Sequence, residues 1–255
     1  MAINDAMFKA EAEAAANQQP TRNSIIHDVV SLEWSLFQEV NNTGGRASCQ
    51  NMPETFFVMR GSQFDNWTDA MIISYGNDLH AAEQEGRNLL SEKYAYMMRS
   101  THPDEWEQIK EYIPEVSPEK SALVEQIVAI QIGWAEELAE RYPNFTSKGR
   151  PIHTSQDTPN TTSIETYSRG ELSTYSETTL KLILEHYTHL KIDGVNAQEQ
   201  TIADEARAYG YESLEAAEKA IAEERMSQEG LDPTGTPFFV GCSNCGAGAS
   251  TKSPF

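Results

Sequence analysis

An all-α fold, a single bundle of four long helices with shorter peripheral ones, is what three features of this sequence predict. Apolar residues recur at spacings of three and four over most of the chain from residue 24 to residue 228. No segment alternates apolar and polar residues as a half-buried strand would. Good capping residues stand just before the long periodic runs.

Taken in order, residues 1–22 read as a peripheral Ala/Glu-rich helix stopped near Pro20. The long segments then run at about 24–40, 68–100, 119–142 and 163–191, with starts marked by Asn23 or Ser24, Asp65 or Thr68, Ser117-Pro118, and Thr162 or Ser163. Four such segments joined by moderate connections suit an antiparallel bundle. Two acidic helices follow near 198–209 and 213–228, completing a helical domain over 23–229. Residues 230–255, "GLDPTGTPFFVGCSNCGAGASTKSPF", are rich in Gly, Pro and Ser and are expected to form a flexible tail.

Bulk composition narrows the function. The 255 residues carry 39 acidic and 19 basic side chains, a formal charge of −20. That balance repels phosphate backbones and anionic bilayers, so neither nucleic acid nor membrane is an expected partner; a small-molecule ligand or a protein is. No run of about 18 apolar residues exists to span a bilayer. The first residues lack the basic-then-apolar order of a secretory signal. Three cysteines, Cys49, Cys242 and Cys245, are too few for a disulfide framework, so a cytoplasmic setting is expected.

Advancing about 100° per residue shows which polar side chains fall on apolar faces. Ile25, Ile26, Val29, Val30, Leu32, Leu36, Phe37 and Val40 make one face of the first helix, and Glu33 falls in its middle. A carboxylate there must be protonated, paired with a cation or bound to metal. On the second segment Lys93 lies within the arc of Met71, Ile72, Tyr75, Leu79, Leu90 and Met97. Gly86, two turns earlier, leaves room either for a ligand or for close helix packing, with Lys93 reaching outward in the second case. The third helix is interrupted only by Gln131. On the fourth, His186 falls near the centre of the inward face, in line with Ser168, Tyr175 and Thr179, while Glu165 and Glu171 flank its start, with Arg169 slightly further round. Glu33 and His186 supply either a base and an acid or two ligands for a divalent metal. A carboxylate-bridged two-metal bundle needs Glu-x-x-His pairs, and the chain has none.

The connection "NNTGGRASCQNMPETFFVMRGSQF", residues 41–64, has no clear helical period yet is dense in specific side chains. Gly44-Gly45 permits a tight turn with free amides, without the ending of a Walker loop. Arg46 and Arg60 suit either a two-pronged grip on a substrate carboxylate or phosphate, or structural bridges to Glu33 or Glu165. Cys49 needs a partner such as His186 or Lys93 to act as a thiolate. "GCSNCGAG" near the end puts Cys242 and Cys245 at half of a metal site.

The segments "EWSLFQEVNNTGGRASCQ", "TFFVMRGSQFDNW", "GRNLLSEKYAYMMRSTHP" and "TSIETYSRGELSTYS" resemble the hallmark stretches of domain-of-unknown-function family 4125, over about Ile25 to Tyr211. The resemblance singles out Glu33, Trp34, Arg46, Cys49, Gln50, Arg60, Gln63, Trp67, Asn88, Glu92, Lys93, Tyr94, Glu165, Tyr167, Arg169, Glu171 and Tyr175, and implies no catalytic assignment. Some relatives look fused to a nucleotidyltransferase-like domain, which implies an accessory or interaction module as one role. The residues themselves favour a polar pocket for an anionic metabolite. In it Glu33, Lys93, His186 and Cys49 are the reactive candidates, and Arg46, Gln50, Arg60, Gln63, Glu165, Arg169 and Tyr175 hold the ligand. Metal-dependent redox chemistry is a third expectation.

Overall fold

The computed structural model describes residues 21–41 and 45–228. The expected helix before residue 21 and the tail with Cys242 and Cys245 lie outside the described residues. Within them the chain is all-α, with eleven helices and only an isolated bridge between Thr158 and Thr161 in place of a sheet.

Helix α1 (Arg22–Gln38) is capped by Thr21, whose hydroxyl accepts from the Ser24 amide. The supposed connection after it contains α2 (Pro53–Asp65). Pro53 stands at the first helical position, where its missing N–H costs nothing. The sequence concealed this helix because its buried positions include Arg60 and Ser62 as well as Phe64, so no apolar stripe marks the inward side.

The expected helix over 68–100 is two helices, α3 (Asp69–Gln84) and α4 (Leu89–Thr101). Gly86 ends the first at φ +71°, with the Arg87 amide donating to the Ala82 carbonyl (2.8 Å) and the Gly86 amide to that of Glu83 (3.0 Å). A Cβ on Gly86 would meet nothing within 4 Å. The glycine is therefore there for its backbone conformation, and neither ligand room nor close packing explains it. Asn88 caps α4 through its Oδ1 and donates its Nδ2 to the Leu36 carbonyl (2.9 Å), tying α4 to the end of α1.

After α5 (Pro103–Ile109), α6 (Pro118–Arg141) is the longest helix and starts at Ser117, as its sequence indicates. A single turn, α7 (Pro143–Thr146), follows. The expected helix over 163–191 is again broken, into α8 (Ile164–Leu172) and α9 (Glu177–Ile192), each with a serine cap, Ser163 and Ser176. The acidic pair is present as α10 (Ala197–Ala208) and α11 (Leu214–Gln228). The four long helices of the sequence reading are thus replaced by a larger set of shorter ones.

Two groups result. Helices α2, α3 and α4 gather round α1, while α8, α9 and α10 gather round α6. Three pairings join the groups: α4 on α8, α3 on α9, and α2 on α10. The α4–α8 contact is close because position 170 is glycine; a Cβ there would sit 2.9 Å from the Lys93 carbonyl oxygen and 2.9 Å from Met97 Cγ. One apolar core runs through both groups, and a smaller one, with Leu138, Tyr142, Ala206, Leu214 and Ala217, seats α10 and α11 on the end of α6.

Candidate functional site

Glu33 is fully buried, surrounded by the apolar face of α1 that the sequence indicates. Two of its neighbours bond to its carboxyl. Arg60 grips it from α2 in the two-pronged manner, Nε to Oε2 at 2.7 Å and Nη2 to Oε1 at 2.5 Å, and the Tyr75 hydroxyl donates to Oε1 at 2.6 Å. Of the two roles open to Arg60, the bridge to Glu33 is the one formed.

The chain of charges continues across the two helix groups. Arg60 Nη1 donates to Gln63 Oε1 (2.6 Å) and to Glu171 Oε1 on α8 (2.8 Å). Glu171 also accepts from Tyr175 (2.6 Å) and from Lys93 Nζ on α4 (2.8 Å). Lys93 donates in addition to the Tyr167 hydroxyl, and its ammonium lies 4.0 Å from the Tyr167 ring centroid. Lys93 therefore points inward and is buried. Two carboxylates and two cations make a cluster of zero net charge, which is what permits four ionised groups to share a low-dielectric interior.

The electrostatics follow from that balance. Burial works against ionisation of Glu171, but Arg60 and then Lys93 outweigh it and hold the carboxyl well below the usual range. Burial likewise opposes the charge on Lys93, and Glu171 and Tyr167 overcome it, so the ammonium is held more firmly than usual. Burial, with the nearby carboxylates, pushes the Tyr75 and Tyr175 hydroxyls up, so both remain donors. Their rings pack 4.6 Å apart, and Trp67 meets both edge-on.

Beside the cluster opens a cleft of about 1000 Å³, walled by α2, α6, α8 and α10 and by the segment 149–153. Arg60, Gln63, Glu171 and Tyr175 reach it on one side. Its walls are largely aromatic and aliphatic, among them Met59, Trp67, Leu138, Phe145, Tyr167 and Tyr187. Glu205 on α10 lines it as well, buried, with no hydrogen bond to its carboxyl among the described residues. Burial first, and then neighbouring Asp204, push that carboxyl up to about 7.

Several expected site residues do other work. Arg46 is exposed and clips its own loop, donating to Asn51 Oδ1 (2.8 Å), the Gln50 carbonyl (2.7 Å) and Gln38. Gln50, buried, fastens the same loop to α1, its Nε2 donating to the carbonyls of Phe37 (2.8 Å) and Val40 (3.0 Å). Glu165 accepts from the Thr154 amide (2.8 Å) and from Arg169 (2.9 Å), and Arg169 holds Glu125 on the outside of α6. His186 is only half-buried, sits against the Asn66 carbonyl (3.2 Å) and does not line the cleft. Its misplacement has a clear cause. The break at 173–176 resets the angular phase, so a face extrapolated from α8 does not carry onto α9, where Leu180, Ile183 and Tyr187 point inward. Cys49 is buried and disulfide-bonded, a state in which its sulfur is no nucleophile. Among the described residues no group of three or more His, Cys, Asp or Glu side chains stands ready to hold a metal, and no helix is long and apolar enough to cross a membrane.

What sequence reasoning missed is instructive. Glu171, on the flank of the face that the periodicity predicts, is central. Glu92, off the apolar arc of a continuous helix, is buried because α4 starts afresh; Arg87 grips it at 2.7 and 2.8 Å. Glu205 has a legible signal, since Ala197, Thr201 and Glu205 are spaced by four, but the small residues of α10 hide its inward face.

A family model described as a protein of unknown function (DUF4125) matches residues 23–219. The chain belongs to the DUF4125 family. The match covers every member of the buried charge cluster and all of α1 to α10 except the first residue of α1. Neither the curated proteins nor the solved structures contain a match to this DUF4125 chain.

Proposed function

We propose that this DUF4125 protein binds a small molecule in the cleft between α2, α6, α8 and α10. The observation that carries the reading is the cleft itself: about 1000 Å³, apolar over most of its wall, with a few convergent polar groups supplied by Arg60, Gln63, Glu171 and Glu205. Size, composition and position between two helix groups are those of a ligand site. The geometry favours a neutral or donor-bearing molecule over an anionic metabolite. Arg60 already holds Glu33, Gln63 and Glu171, so an incoming anion would compete with two carboxylates for it. Glu33 and Lys93 then serve to hold the floor rigid and are not proton donors to the ligand.

The test is calorimetric titration of 1-naphthol, a neutral aromatic probe, into the wild type and Ser168→Phe. Ser168 lines the cleft on α8 beside Tyr167, so a phenyl ring there intrudes into it. Binding to the wild type, weakened by about tenfold or more in the variant (about 1.4 kcal/mol), supports the reading. Equal affinity in both, with the variant folded, refutes it.

A further inference from the structure

The polar atoms of the cleft wall that lack partners point to the charge of the ligand. Glu205 is more than nine-tenths buried, lines the cleft, and has no cation or hydrogen-bond donor near its carboxyl among the described residues. Nearby chemistry adds a second acceptor, because the Oε1 of Gln131, also on the cleft wall, is buried without a donor. On the same wall Trp67 Nε1–H is a buried donor without a partner among the described residues. The Tyr187 hydroxyl stands close enough to Trp67 and Gln131 for both to act on it, yet neither Trp67 Nε1 nor Gln131 Oε1 completes a bond. Buried atoms such as Gln131 Oε1 and Trp67 Nε1 are rarely left unmade unless something else supplies the partner, and the Glu205 carboxyl beside them faces the cleft. A carboxyl in that position has one strong complement, a cation that brings its own N–H donors. The aromatic lining of Trp67, Tyr167 and Tyr187 suits the same guest, since ring faces attract cations.

We propose that the cleft ligand is an aromatic or aliphatic amine, its ammonium group held by Glu205 with the Gln131 carbonyl as second acceptor and its apolar body lying along the aromatic wall toward Arg60 and Glu171. This deepens the small-molecule reading and rests on it. It assigns Glu205 the role of a specificity-determining residue; the charge cluster on the floor, already neutral, contributes shape and not attraction.

The experiment compares three matched naphthyl probes at pH 8, where the Glu205 carboxyl is largely ionised: 1-naphthylmethylamine, 1-naphthylmethanol and 1-naphthoate, each titrated into the full chain. The amine is expected to bind about tenfold tighter than the alcohol, as a charged hydrogen bond to a buried group predicts, and the naphthoate weakest. In Glu205→Gln the amine and the alcohol should bind alike. Amine and alcohol binding equally to the wild type overturns the assignment, as does an amine preference that survives the substitution; both leave the cleft reading standing. Failure of all three probes overturns the two together. Circular dichroism of Glu205→Gln confirms the fold, and the wild-type series decides the charge preference without it.

Discussion

At the scale of single residues, burial leaves the carboxyls of Glu171 and Glu205 shifted in opposite directions. Glu171 stays charged because Arg60 and Lys93 both lie within hydrogen-bonding distance of it. Glu33→Gln leaves Arg60 and Lys93 facing one carboxylate, a buried excess of positive charge, and is expected to cost about 3–5 kcal/mol in chemical denaturation. A cost below about 1 kcal/mol would contradict that excess of buried charge. Glu171, held low, adds stability that is complete above the ordinary carboxyl range near 4.5 and is lost as pH falls. Glu205 does the reverse. Its carboxyl, raised from 4.5 to about 7, keeps its proton in the folded chain while the unfolded chain releases it. Its contribution is therefore lost as pH rises between those values, by about 3 kcal/mol in all. Glu205→Gln should accordingly equal the wild type at pH 4 and exceed it by about that amount at pH 8. Denaturant midpoints at the two pH values decide it, and a gain independent of pH would show that Glu205 is not the group titrating.

At the scale of elements, the glycines at 86 and 170 mark the two departures that matter. Gly86 permits the chain to break between α3 and α4, and the fresh start of α4 buries both Lys93 and Glu92. Gly170 lets α8 approach α4 until Lys93 and Glu171 meet. Gly170→Ala would force a methyl against the Lys93 backbone and is expected to destabilise by about 1–3 kcal/mol despite alanine's better helix propensity. A gain in thermal midpoint would contradict the close approach. The helical class and most starts were legible in the sequence, because Thr68, Ser117 and Ser163 are efficient caps. Glu33 was legible too, standing alone on an apolar face. The breaks at Gly86 and after Leu172 were not, since the apolar spacing continues across both. Helix α2 was hidden for a reason tied to its use: its inward side chains are the polar ones that build the cluster and border the cleft.

At the scale of the whole molecule, two helix groups share one core and are held in register by a polar cluster with members on each side. Glu33, Arg60, Tyr75 and Lys93 come from the first group; Tyr167, Glu171 and Tyr175 come from the second. The cleft opens alongside that junction, so anything that loosens the cluster should change ligand affinity as well as stability. Lys93→Met and Glu171→Gln each strand a charge, whereas the double variant keeps Glu33 and Arg60 as a neutral pair. The most direct measurement is the double-mutant cycle of these two substitutions by chemical denaturation. The double variant is predicted to be more stable than the sum of the single costs implies, by about 2–3 kcal/mol. Costs that simply add would show that Lys93 and Glu171 act independently, and the two halves of the molecule would then need another explanation for how they are joined.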